Sequence, residues 1–140
     1  MFTVNTYNEV QDLAIVAPSI QAIDINLDPD TGVLSFTSGN GNKRLVVLSQ
    51  YPIIQFPLNQ LSYYDGDCID KGIVVYRGSG DEVDISQYLS VGKWYVQVFE
   101  FNGYASIEKY LIDSSSDNPI DFILDETAGV FDETFDDTFE

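Results

Sequence analysis

Residues 89–102 read L-S-V-G-K-W-Y-V-Q-V-F-E-F-N, which sets a leucine six residues ahead of a tyrosine, with a glycine between them. Spaced in this way across a turn into a strand, the pair has the pattern of a tyrosine corner. In that device the phenol of a β-sandwich reaches back to backbone a few residues upstream. Tyr95 then makes the corner and Trp94, its neighbour in the alternation, points the other way, toward solvent. A chain committed to that device is committed to antiparallel sheets.

Other segments alternate in the same manner between turn signals. Residues 22–27 put Ile23, Ile25 and Leu27 on one face, and residues 33–37 set Leu34 and Phe36 opposite Val33, Ser35 and Thr37. Between them Asp28-Pro29-Asp30-Thr31-Gly32 is turn chemistry, with proline fixing φ and glycine permitting positive φ. Gly39-Asn40-Gly41-Asn42 is a hairpin-type loop leading into 45–49. Segments 72–77, 82–88, 93–101 and 106–112 complete seven predicted strands, and helical periodicity is absent.

Five motifs in order resemble a bacterial subtype of the fibronectin type III domain. Residues 36–47 resemble its W-x-x-G-x-G-x-x-R-L-V-V stretch, and 57–63 its P-x-x-G-x-x-Y segment. Residues 73–78 resemble V-V-Y-x-G, while 89–95 and 98–103 are similar to its L-x-P-G-T-x-Y corner and its V-x-E-x-N-G. Phe36 stands at the family's usual Trp, Val91 and Lys93 replace the Pro and Thr of the corner, and Asn59 is read at the Gly of the middle segment. The resemblance implies a seven-stranded fibronectin type III or immunoglobulin-like sandwich over 18–113. It also implies a binding or spacer module rather than an enzyme, with no cofactor. Around the sandwich we place an N-terminal arm, 1–17, and an extended acidic C-terminal tail, 114–140.

Charge and composition narrow the function. The net charge is −17 over 140 residues, and residues 114–140 hold nine acids and no base. A phosphate backbone would be repelled, which disfavours nucleic acid. There is no histidine, so Ser-His and Cys-His nucleophilic pairs are excluded, and the lone Cys68 forms no intrachain disulfide and no thiolate zinc site. Glu9 and Asp12 and the lack of a basic run argue against a signal peptide, and no apolar run approaches spanning length, so no membrane is expected. The expectation is a chain made whole in the cytosol.

Candidate sites are few. Asp65, Asp67 and Asp70 crowd carboxylates onto one loop, the donor type calcium takes, but without the spacing of a calcium loop; a solvated turn is expected and no metal. Asp81, Glu82 and Asp84 read as a solvated face rather than a hydrolytic pair. Trp94 and Tyr104, among tyrosines at 51, 63, 64, 76 and 88, offer a surface that a host glycan would stack on, although strand aromatics are more often core.

The tail carries the sharpest pattern. Leu124-Asp125-Glu126-Thr127, Phe131-Asp132-Glu133-Thr134 and Phe135-Asp136-Asp137-Thr138 repeat one apolar-acid-acid-Thr tetrad, and Phe139 starts a fourth. A purely solubilising tail needs no phenylalanine at every fourth position. Leu124, Phe131, Asp132, Phe135, Asp136 and Phe139 are therefore assigned to partner docking, along a helix face or as an extended segment. The function expected is a non-enzymatic structural protein of a tailed-bacteriophage virion, in its head, collar, tail or fibre. Its tail would dock on other virion proteins or sister copies while the sandwich projects. The competing expectation is a secreted, extracellular or cell-surface adhesin, carbohydrate-binding or spacer module.

Overall fold

A computed structural model describes residues 15–125. The strands are β1 Ile23–Asp28, β2 Val33–Thr37, β3 Lys43–Ser49, β4 Cys68–Ile69, β5 Gly72–Gly78, β6 Glu82–Asp84, β7 Gly92–Asn102, β8 Lys109–Tyr110 and β9 Ile120–Leu124. They form two antiparallel sheets, one ordered β1-β2-β6 and the other β4-β5-β3-β7-β8, with β9 also on β7.

The all-β reading holds, and the strand count changes. Nine strands stand among the described residues rather than seven; β4 and β9 were not anticipated, and the expected strand at 106–112 shrinks to the two residues of β8. The expected strand at 82–88 ends at Asp84, where its carboxylate accepts from the Ser86 amide and a 3-10 turn, Ser86–Tyr88, begins. Between β1 and β2, the Asp28 carboxylate accepts from Asp30 N and the Asp28 carbonyl from Gly32 N. Gly32 has φ 79°, and a Cβ there would sit 2.5 Å from that of Ser86, so only glycine closes this turn.

One core lies between the sheets: Ile25, Leu34 and Phe36 from the smaller, Val46, Leu48, Trp94, Val96, Val98 and Leu124 from the larger. A second lies on the far face of the larger sheet, where Leu45, Val47, Val74, Phe99, Phe101 and Tyr110 meet Ile53 and Tyr63 of the long β3–β4 connection. Residues 44–49 of β3 are consequently buried without interruption, as a strand covered on both faces must be.

A buried ion pair ties β3 to β7. Arg44 Nε lies 2.9 Å from Glu100 Oε2 and its Nη2 3.2 Å from Oε1, while Gly39 N and Gly41 N donate to the same carboxylate at 2.8 and 2.9 Å. The guanidinium also donates to the carbonyls of Ser79, Gly80 and Gly41, so both charges are hydrogen-bonded as well as paired.

The body extends beyond the boundary expected at 113. β9 pairs with β7 from Gly92↔Leu124 to Val96↔Ile120. Just above it the Asn118 amide takes the place of a peptide unit, accepting from Val98 N and donating to Val98 O and Ala22 O, each at 2.9 Å. Leu124, assigned above to docking, is instead a core residue at 4 % exposure. The acidic composition of 114–125 hid the alternation Ile120, Phe122, Leu124. At the other terminus, the Asn102 side-chain amide donates to Val16 O, and Gln21 bridges Glu100 N to the carbonyls of Leu111 and Asp113.

The corner is corrected too. Trp94 faces the core at 7 % exposure, and its indole Nε1 donates to Ser90 O at 2.8 Å. Tyr95 lies on the opposite face with Lys93 Nζ 5.5 Å from its ring, and its hydroxyl has no hydrogen-bond partner among the described residues. The reach back to the turn is thus made by the indole. Both faces of β7 are covered, so alternation alone could not assign Trp94 and Tyr95 to inside and outside.

Candidate functional site

The β3–β4 connection, residues 50–67, is long, contains Pro52 and Pro57, and is fixed to the sheet beneath it. Phe56 packs edge-on against Phe99 with centroids 5.9 Å apart, and Tyr63 does the same against Tyr110 at 5.8 Å. Tyr110 N donates to Asn59 Oδ1, Tyr110 Oη to Leu61 O and Gln60 N to Glu108 O, while Leu58 N donates to Tyr63 Oη. At the far end Gly66 N donates to Val74 O and Val74 N to Asp67 O.

The positive φ of this segment falls on Gln60, at 69°, rather than on Asn59. Asn59 serves as an acceptor instead.

Beneath the loop sits Glu108, fully buried. Its Oε2 accepts from the Ser62 hydroxyl and from Arg77 Nη2, the latter at 2.9 Å. Burial pushes its pKa upward, but the Ser62 hydrogen bond and the Arg77 guanidinium outweigh burial and hold it below the usual glutamate value. Oε1 has no hydrogen-bond partner among the described residues. Burial, reinforced by the Glu108 charge, pushes the Tyr110 phenol well above its ordinary pKa. Arg77 also donates to Tyr63 O, with its guanidinium carbon 4.6 Å from the Tyr64 centroid and 4.7 Å from that of Phe101.

Over this fixed underside the loop turns large apolar side chains outward: Tyr51, Ile54, Leu58, Leu61 and Tyr64 are exposed, Ile54 at 69 %, while Phe56, packed on Phe99, is exposed only in part. Phe56, Leu58, Tyr63, Ile69 and Cys68 line an open depression of about 310 Å³ with Asp70 on its edge. An exposed apolar surface rimmed by charge marks an interaction site. Fixing the backbone in advance removes much of the ordering cost of binding.

The residues singled out from sequence are distributed around this surface. Tyr104 is 67 % exposed and reaches the loop's neighbourhood through Ser106, whose amide donates to Ser62 Oγ. Trp94, proposed beside it as surface, is in the core, because it shares a strand face with Val96 and Val98. Asp65, Asp67 and Asp70 are exposed, but among the described residues no group of three or more His, Cys, Asp or Glu could hold a metal ion. The Asp67 carboxylate accepts from Tyr64 N, as a turn acid does. Phe131, Asp132, Phe135, Asp136 and Phe139 lie outside the described residues.

The loop surface itself escaped sequence reasoning. Its signal is the stretch Y-P-I-I-Q-F-P-L-N-Q-L-S-Y-Y at 51–64, too apolar for a solvated connection and without strand alternation.

No family model, curated protein or solved structure matches the chain.

Proposed function

We propose that the protein is a non-enzymatic binding and structural component of a tailed-bacteriophage virion. The observation that carries the binding reading is the loop at 50–67, whose apolar side chains face outward from a backbone fixed underneath. An immunoglobulin-like sandwich of the fibronectin type III kind is supported by strand order. With the two-residue β4 and β8 set aside, β1-β2-β6 faces β5-β3-β7-β9, an arrangement of the A-B-E and C-F-G type. The Arg44–Glu100 pair adds support, since it joins the arginine of one motif behind the resemblance to the glutamate of another.

In this reading residues 126–140 anchor the protein on other virion proteins or on sister copies, through Phe131, Phe135 and Phe139 with Asp132 and Asp136 between them. The body projects from the particle. Deleting 126–140 is expected to abolish association with particle components while leaving the melting transition of the body in place. Co-sedimentation of full-length and shortened protein with particles tests this; full-length protein that binds no particle component sinks the reading.

The exposed tyrosines 51, 64 and 104 favour a second reading, an extracellular or cell-surface module that stacks on a glycan. Binding on a glycan array that Tyr104→Ala removes would select it.

A further inference from the structure

The depression between Phe56, Leu58, Tyr63 and Ile69 has room for one bulky apolar side chain and opens directly to solvent. Its surroundings are acidic. Asp70 is on the edge, and Asp65 and Asp67 lie within three residues of Cys68 along the chain, all three exposed. Of the basic residues nearby, Lys71 has its ammonium 4.8 Å from the Tyr51 centroid, and Arg77, which donates to Tyr63 O, is paired with the buried Glu108.

Three kinds of occupant could cover such a surface, and charge separates them. Residues 126–140 of this chain bring six acids and no base, and a second copy brings a net charge of −17. Either would place carboxylates against carboxylates, which costs binding energy at low and moderate ionic strength. A basic segment meets the opposite field.

We propose that this surface docks an extended basic segment of a partner protein, seating one bulky apolar anchor in the Phe56–Leu58–Tyr63–Ile69 depression while Lys or Arg residues flank it against Asp65, Asp67 and Asp70. An apolar anchor in a pocket ringed by polar contacts is the anatomy of a protein–protein hot spot. The proposal rests on the reading of the chain as a binding protein and adds which chemistry it binds.

The test uses the full-length chain and fluorescein-labelled nine-residue peptides. These carry a central Leu, two Lys or Arg on each side and degenerate outer positions, and binding is read by fluorescence anisotropy. Counterparts carry central Ala, or Glu in place of the basic residues. The basic Leu peptides are expected to bind, the central-Ala set about tenfold or more weaker, and the acidic set not at all. Leu58→Ser and the double variant Asp65→Asn/Asp70→Asn should each weaken binding several-fold. These three side chains are exposed, so the melting transition is expected to stay in place, and it is recorded in parallel. Absence of binding, equal binding of the acidic peptides, or indifference to Leu58→Ser in a folded protein overturns the proposal. If peptides fail while full-length protein still co-sediments with particles, this proposal alone falls; if both fail, the binding reading falls with it.

Discussion

Ser62 and Arg77 hold the buried Glu108 carboxylate from the loop above and the strand beside it, which favours its ionised form against the cost of burial. Its folded pKa lies below the ordinary glutamate value of 4.5, so the linked stability is present above that pH and is lost as pH falls through the lower folded value. Glu108→Gln should cost about 3 kcal/mol at neutral pH, since it leaves Arg77 buried without its counter-charge. The gap between wild type and variant should begin to narrow in urea melts below pH 4.5, the unshifted value, and close below the lower folded value. A gap that is constant from pH 7 to pH 3 would show that the charge contributes nothing. Three further residues differ in the sign of their effect. Gln60 holds a left-handed backbone with φ 69°, a conformation that costs a non-glycine residue about 1–2 kcal/mol. Gln60→Gly should therefore stabilise by about 0.5–1 kcal/mol after the added freedom of the unfolded chain is counted, read as a rise in the urea midpoint. Trp94→Phe loses the bond to Ser90 O and part of the core filling, about 1–3 kcal/mol. Tyr95→Phe removes a hydroxyl with no partner among the described residues and should change stability by less than about 0.5 kcal/mol.

At the scale of elements, β9 decides where the folded body ends. It covers the edge of β7 from Gly92 to Val96 and brings Leu124 into the core between the sheets. A chain ending at residue 119 loses those main-chain bonds together with Ile120, Phe122 and Leu124, and should fail to melt cooperatively. A chain ending at residue 125 should melt as the full-length protein does, by circular dichroism. Equal behaviour of the two would mean that β9 is dispensable. The same strand marks the limit of what residues alone disclose. Leu34 and Phe36 of β2 were legible because one face of that strand is buried and the other is not. β7 gave its position but not its inner face, since Trp94 and Phe99 are both buried on opposite sides. β9 reads as tail because Asp121 lies in it and Asp117 and Asp125 flank it, and exposed acids in and around an edge strand look like acids in a solvated segment. The candidate site was less legible still. The exposure of Tyr104 agrees with the sequence reading, but the outward face of 50–67 depends on which apolar side chains the loop turns down toward Phe99 and Tyr110, a tertiary fact with no local period.

Charge acts on the molecule as a whole. Residues 15–125 hold fifteen acids and six bases, and two of those bases, Arg44 and Arg77, are locked in buried pairs with Glu100 and Glu108. The accessible surface therefore repels itself, and a compact state that concentrates like charge is destabilised by it. Added salt shortens the reach of that repulsion from roughly 30 Å at 0.01 M to about 3 Å at 1 M. Melting temperature is accordingly expected to rise by a few degrees between low and high sodium chloride, measured at pH 7 where the carboxylates are ionised. A fall would mean that favourable surface pairing outweighs self-repulsion. The direction matters for the loop surface as well, because attraction between Asp65, Asp67, Asp70 and a basic segment weakens over the same range of salt. Stability and binding then respond in opposite senses to one variable. A preparation that binds less as salt rises while melting higher has lost an electrostatic contact and kept its fold.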